Sequence, residues 1–301
     1  MYIKMNGLTI YSDEELKMIQ KIELEILKEV IRVCSILKLN YFIIGGTALG
    51  AVRHNGFIPW DDDIDIGMLR SDYNKFIEFS EKYLNNRYYL QTPSPPCRER
   101  NYFNDKCPYT YTKVRVNGTK FVEYCNRKLN MHQGIYIDIF PFDEVPDDEN
   151  LNKRQFKKVR KLKFLYVLRE SPDVSAQPNS IIAKIKSKLR FFLHYIIKLI
   201  PRKFLLEQIN KECTLYNGTG QSAYACLDFP KRKCEYILKS ELFPLQKHSF
   251  EGLYTNIPND FEKYLFYHYG DWKELPPANQ RYGHKPWLID IGEVKIGEVK
   301  I

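Results

Sequence analysis

Apolar positions along the chain recur with two different periods. Between residues 12 and 38, Leu16, Ile19, Ile22, Ile26, Val30, Val33 and Leu37 return every three or four positions, with Glu23 beside Ile22, which predicts an amphipathic helix. Ser12 followed by Glu15 is a capping box at its start. Leu39-Asn40 ends the pattern, and the unbroken apolar run 41–44 predicts a strand that stops at Gly45-Gly46-Thr47. Residues 47–54 predict a helical turn or short helix, Gly56-Phe57-Ile58-Pro59 a turn, and 63–67 a second strand. Residues 71–84 read as a further helix with Ser71 as its N-cap. From 88 to 121 the pattern is strand and turn, broken by Pro93, Pro95 and Pro96. Residues 109–116 alternate, and Asn117-Gly118 predicts a hairpin with the run that follows. Residues 135–140 predict another strand, closed by Pro141.

Beyond residue 149 the pattern changes. Residues 150–210 read as a helical lobe, split into two pieces by 171–179, which hold two prolines. In the second piece Ile182, Ile185, Leu189, Phe192, Leu193, Ile196 and Ile200 share one face, while Lys184, Lys188, Arg190 and Lys198 lie elsewhere on the circumference. The last third is loop-rich, with Asn217-Gly218-Thr219-Gly220, Pro276-Pro277 and a helix expected around 261–269. The expected fold is α/β (α+β), a mixed sheet flanked by helices. Its core is 1–149, its basic helical insertion 150–210, and 211–301 complete the core domain. The pentapeptide at 291–295 is copied at 296–300 and is assigned no function.

Composition narrows the possibilities. The 301 residues, 44% hydrophobic and 14% aromatic, suit a folded globule. Seven cysteines without a C-x-x-C pair argue against a zinc site. Their odd number and the lack of an apolar leader at residues 1–15 fit a reducing cytoplasm. No run approaches the eighteen apolar residues of a membrane span. The net charge of +9 is local. Residues 152–203 carry fifteen Lys and Arg against Glu170 and Asp173, a net of +13, which leaves −4 on the rest. A solvated face is one reading of this segment. Nucleic acid is another on charge alone, but no groove-reading motif accompanies it, so no nucleic-acid partner is expected. Peripheral docking on an anionic membrane, at the inner face of the plasma membrane, fits the amphipathic lysine-rich pattern better.

The chemistry concentrates in 41–76. Asp61, Asp62, Asp63 and Asp65 fall within five positions. On a strand Asp63 and Asp65 project to one face while Ile64 and Ile66 face the core. Two carboxylates on one face repel unless a cation lies between them, and oxygen ligands completed by phosphate suit magnesium, or manganese. Gly45, Gly46 and Thr47 let backbone N–H groups approach an anion. A phosphate cradle beside a metal clamp is what phosphoryl or nucleotidyl transfer needs. The competing reading is an acidic surface turn after Pro59. Asp138, flanked by Ile137 and Ile139, is the candidate third acid, the alternative being a cap on the turn at Pro141-Phe142-Asp143. Asp61 or Asp138 could take the acceptor's proton. Arg53 and His54, one loop before the acids, and Lys113 and Arg115, alternating on a strand, are candidate phosphate partners. Trp60 could stack on a base or cationic head group, or form a buried wall.

The string GGTALGAVRHNGFIPWDDDIDIGM at 45–68, with KVRVNGT at 113–119 and IDIFPFD at 137–143, closely resembles the LicD family, relatives of the fukutin-like phosphotransferases with the nucleotidyltransferase fold. The resemblance is strong over 30–145 and weak at the LPPANQR and His284 stretch. It implies transfer of phosphocholine, or a similar phospho-alcohol, from CDP-choline or another CDP-alcohol to a sugar hydroxyl of a surface glycan such as teichoic acid, lipopolysaccharide or capsule, a lipid-linked acceptor included. It places Asp138 in the metal site with Asp63 and Asp65. His132, Arg281 and His284 also sit at family-like positions, as substrate-orienting or packing residues. Two rivals remain: a nucleotidyltransferase that adenylylates a small molecule or protein, and a non-catalytic membrane- or nucleic-acid-binding module.

Overall fold

Helix α1 (Asp13–Leu37) begins where the capping box places it: the Ser12 side chain accepts from the Glu15 N–H, and Glu15 accepts from the Ser12 N–H. A small hairpin, β1 (Ile3–Met5) with β2 (Leu8–Ile10), precedes it. The computed structural model describes residues 3–5, 8–10, 12–93, 107–173, 180–229, 236–284 and 286–292. Pro95 and Pro96, the interior of the expected break at 171–179, and the terminal repeat from 293 on lie outside them.

After α1 come β3 (Phe42–Ile43), α2 (Gly45–His54), β4 (Asp65–Leu69), α3 (Arg70–Phe79), β5 (Tyr88–Gln91), β6 (Thr112–Val116), β7 (Lys120–Val122) and β8 (Tyr136–Val145). Three helices follow, α4 (Glu149–Glu170), α5 (Ile181–Ile197) and α6 (Arg202–Cys213). The rest is β9 (Ala223–Ala225), β10 (Tyr236–Leu238), α7 (Lys239–Leu242), β11 (Gln246–Phe250), β12 (Leu253–Ile257), α8 (Phe261–Tyr269) and β13 (Leu288–Asp290). The result is a mixed seven-stranded sheet flanked by helices, the α+β class that the pattern predicts.

The sheet is organised on β8, which is buried throughout. β4 pairs with it in parallel along one edge, and β6 and then β9 pair antiparallel along the other. β3 borders β4, β5 borders β6, and β10 borders β9. The core includes Ile19, Ile22, Ile26 and Val30 of α1 with Ile64, Ile66, Ile137 and Ile139 of the central pair. A second, smaller core of Val145, Val159, Tyr166, Leu205 and Ile209 joins α4 and α6 to the β9 end.

Four local expectations are corrected. Pro141 does not close β8. The Asp138 N–H donates to the Ile64 carbonyl on the β4 side, so odd-numbered residues point their N–H to the other edge. Pro141 falls there between Ile139, the last partner of β6, and Asp143, the first partner of β9, where no donor is required. Asn117-Gly118 turns the chain without building a hairpin ladder. Both edges of β6 are taken by β5 and β8, so β7 pairs with β13 instead. Ser71 is not the cap of α3, since Leu69 holds that position. The second piece of the lobe is two helices, divided at Pro201, which lacks the N–H that a continuous helix would use.

Candidate active site

Register brings the acids together. In the parallel β4–β8 ladder Asp65 lies opposite Asp138, and in the antiparallel β6–β8 ladder Asp138 lies opposite Lys113. Ile64 and Ile66 are fully buried while Asp63 and Asp65 are half-buried, the alternation the sequence predicts. Asp138 is a strand residue and not a turn cap: its Oδ1 accepts from Lys113 Nζ at 2.6 Å, with both side chains buried. The Lys113 ammonium also lies over the rings of Tyr136 and Tyr109, 3.4 and 4.4 Å from the centroids.

The loop 61–64 folds inward and is no surface turn. Asp62 is buried, and its Oδ1 accepts from both the backbone N–H and Nδ1 of His284 at 2.9 Å. Asp61 accepts a hydrogen bond on its backbone carbonyl from Gln20 Nε2 of α1 at 2.8 Å. Its carboxylate lies so close to Gly46 that a Cβ there would be 2.7 Å from Oδ2. The start of α2 is therefore pressed against an acid. Gly45, at φ 55°, donates its N–H to the Tyr264 hydroxyl at 2.9 Å, and Thr47 Oγ1 accepts from the Asp65 N–H at 2.8 Å. Within the protein these two groups of the expected phosphate cradle brace the loop.

The field around these carboxylates is strongly negative. Burial, then repulsion from Asp63 and Asp62, pushes Asp61 up to about 8. Asp63 is pushed up to about 6, chiefly by burial and against the pull of His284. Burial outweighs the attraction of Lys113 and raises Asp138 as well. The hydrogen bond to Asp62 pushes the half-exposed His284 up to about 10, so the imidazolium serves as a counter-charge.

Glu23 belongs to the same cluster and was not singled out from the sequence. It is buried on the α1 face one turn from Gln20, and its Oε2 has no hydrogen-bond partner among the described residues. Burial raises its pKa far above the ordinary carboxylate value, with Asp62, Asp63, Asp61 and Asp138 adding to the shift. An acid interrupting an otherwise apolar helical stripe was the available signal.

A family model described as LicD/FKTN/FKRP, nucleotidyltransferase domain, matches residues 38–168, which span the diglycine, the acids, Lys113 and Asp138. Residues 38–168 are a LicD-family nucleotidyltransferase domain. The chain is 28% identical over 268 residues to lipopolysaccharide cholinephosphotransferase LicD of Haemophilus influenzae, covering 88% of this chain and 94% of that protein. Shorter matches are to an uncharacterised protein of Rickettsia prowazekii, 59% over 34 residues, and to human ribitol 5-phosphate transferase FKRP, 40% over 48 residues. They cover 11 and 16% of this chain and 13 and 10% of those proteins.

The remaining predicted site residues separate into two groups. Arg53 and His54 close α2, where Arg53 Nη1 donates to the carbonyls of Trp272 at 2.9 Å and Glu274 at 3.2 Å, and Nε donates to His54 Nε2. The exposed Arg281 lies over Trp60, 5.4 Å from the ring centroid. The C-terminal stretch 272–284 is thus strapped across α2 and the acids by Arg53, by Trp60 with Arg281, and by Asp62 with His284. Arg115 lies beside Lys113 over the same Tyr136 ring, 4.7 Å from its centroid, and attracts the Asp138 carboxylate, whereas His132 lies farther from the acids. Arg115 is buried, donating to Gln91 Oε1 and the Gly134 carbonyl at 2.7 Å. His132 stacks on Tyr89 and bonds to Asn117, at the far end of β6 from Lys113. Burial, with Arg115 nearby, pushes its imidazole down to about 4.

The acids offer only hard oxygen donors and carry more negative charge than Lys113 and His284 balance, which fits a hard divalent cation. Among the described residues no three Asp, Glu, His or Cys side chains form a ready-made metal cluster. A shell of one or two carboxylates completed by phosphate oxygens is the form magnesium favours. Among the described residues none of the cysteines Cys34, Cys107, Cys125, Cys213 and Cys226 is in a disulfide.

Proposed function

We propose that this chain is a phosphotransferase that moves phosphocholine, or a similar phospho-alcohol, from a CDP-linked donor to a sugar hydroxyl of a cell-surface glycan. The observation that carries this reading is the register that sets Asp65 beside Asp138, next to Asp63 and the diglycine start of α2, inside the LicD-family domain. The long match to a lipopolysaccharide cholinephosphotransferase favours the same reaction class.

Asp63, Asp65 and Asp138 are the residues that would hold magnesium or manganese. When bound, such a cation neutralises charge on the donor's phosphates and on the departing nucleotide. Lys113 holds Asp138 in place and keeps its charge from being wholly uncompensated. Asp61 is the better placed of the two candidate bases, because Oδ1 of Asp138 is already engaged by Lys113. In the transfer, the acceptor hydroxyl oxygen bonds to the phosphorus that bears choline, and the bond from that phosphorus to the bridging oxygen breaks. The hydroxyl proton passes to Asp61, and CMP leaves with the bridging oxygen. The partly buried Trp60, with the exposed Arg281 over its ring, forms an aromatic and cationic edge beside the acids, suited to the donor's base or to the glycan.

Nucleotidyl transfer would use the same acids but attack the nucleoside-bearing phosphorus. Incubating the protein with a surface glycan, ATP, and CDP-choline, CDP-ribitol or CDP-glycerol labelled in either the alcohol or the cytidine separates the two. The proposal expects the alcohol label on the glycan and CMP in solution. Adenylate or cytidylate on the acceptor would overturn it.

A further inference from the structure

Helix α5 is inverted relative to an ordinary surface helix. Its inward side is polar: His194 is buried with Nδ1 2.8 Å from the Leu168 carbonyl, and Arg190 donates to the carbonyls of Asp173 and Ser171 at 3.0 Å. These bonds fix the helix to the end of α4 by the side that a core-facing helix would make apolar. The opposite side carries Ile181, Phe192, Ile185, Ile196, Leu189 and Ile182, which fall within an arc of about 100° at helical spacing. All six are 45–77% exposed. Lys184 and Lys188 border this stripe on one flank and Lys186 on the other, and all three are exposed. Leu199, just past the helix, is 83% exposed.

Exposing six large apolar side chains in one stripe is unfavourable in water, so the stripe needs a cover. The flanking lysines decide which. A second copy related by twofold symmetry would bring like-charged rims together, whereas a surface of acidic lipid headgroups would pair with them while its acyl region took the stripe. At 17 residues α5 is about 25 Å long, and no helix among the described residues is long and apolar enough to cross a membrane. The geometry is that of a helix lying in the interface.

We propose that α5 docks this protein on an anionic membrane surface, with Ile181, Ile185, Leu189, Phe192 and Ile196 inserted below the headgroups and Lys184, Lys186 and Lys188 held at their level. The docking involves no residue of the acid cluster and stands or falls independently of the transfer reaction. Co-sedimentation of the full chain with phosphatidylcholine–phosphatidylglycerol vesicles and with phosphatidylcholine alone tests it. Two variants accompany the wild type: Leu189→Glu with Phe192→Glu, and Lys184→Gln, Lys186→Gln and Lys188→Gln combined. The wild type should partition onto the mixed vesicles at least about tenfold better than onto the neutral ones, less so at high salt, and each variant should lose at least about tenfold. The variants should keep the wild-type circular dichroism and melting temperature, since their side chains face solvent. Wild-type protein left in the supernatant with the mixed vesicles would overturn the proposal, as would equal binding by the variants. So would a wild-type dimer in sedimentation equilibrium that Leu189→Glu with Phe192→Glu dissolves while vesicles bind neither.

Discussion

Lys113 shows how much the site depends on a single buried contact. Its partner Asp138 lies among tyrosines, and its own side chain is 1% exposed. Removing one member of such a pair leaves the other as an uncompensated buried charge. Lys113→Met should therefore destabilise the fold by about 3–5 kcal/mol. Urea denaturation checks this, and a loss below about 1 kcal/mol would show that the pair is not buried as described. The alternation of Lys113 and Arg115 is legible in the sequence as a shared face. What they face is not, because that is set by the register of β6 on β8, residues more than twenty positions apart. Glu23 is the converse case. Its oddity is visible in the helical stripe, but its company of aspartates arises only when α1 packs on the sheet.

At the scale of elements, α2 illustrates how closely the acid loop is folded back. Alanine in place of a helical glycine normally helps by up to about 1 kcal/mol. At Gly50, however, a Cβ would lie 2.4 Å from the Gly56 carbonyl oxygen and 3.1 Å from the Ile58 nitrogen. Both are backbone atoms of the turn that leads to the acids, and neither can rotate away. Gly50→Ala should cost about 1–3 kcal/mol and lower activity, as measured by thermal melting and by CMP release. A stabilised variant would mean that the turn does not pack against α2. Helix α1, with its capping box, α8 and the strand that bears Asp138 are readable from periodicity, because their signals are local. Pro141 and Asn117-Gly118 mislead for the opposite reason. Local chemistry says stop and hairpin, but the edge each strand offers is decided by partners far away in sequence.

Across the whole molecule, raised carboxyl pKa values couple the acid cluster to pH. Burial and mutual repulsion raise Asp61 to about 8 and Asp63 to about 6, from an ordinary 3.8, and raise Glu23 and Asp138 as well. Between about pH 4 and pH 8 the folded chain then binds more protons than the unfolded one, so stability falls as pH rises. Below about pH 4 both states are protonated and the dependence from these acids vanishes. His284 acts in the same direction. Its contribution is fully present below 6.5 and is lost as pH passes about 10. Melting curves without divalent cation should drop from pH 5 to pH 8, and magnesium should restore most at the upper end, where the acids are ionised. A melting temperature independent of pH and of magnesium would contradict the charge imbalance.

The proposed use of a divalent cation by these aspartates to move a phospho-alcohol is read in the rate of CMP release. Release from a CDP-linked donor in the presence of a glycan acceptor should require magnesium or manganese. It should fall on the order of 10³-fold in Asp63→Asn and in Asp65→Asn while both variants stay folded. Undiminished release in those variants, or with the cation chelated, would contradict it.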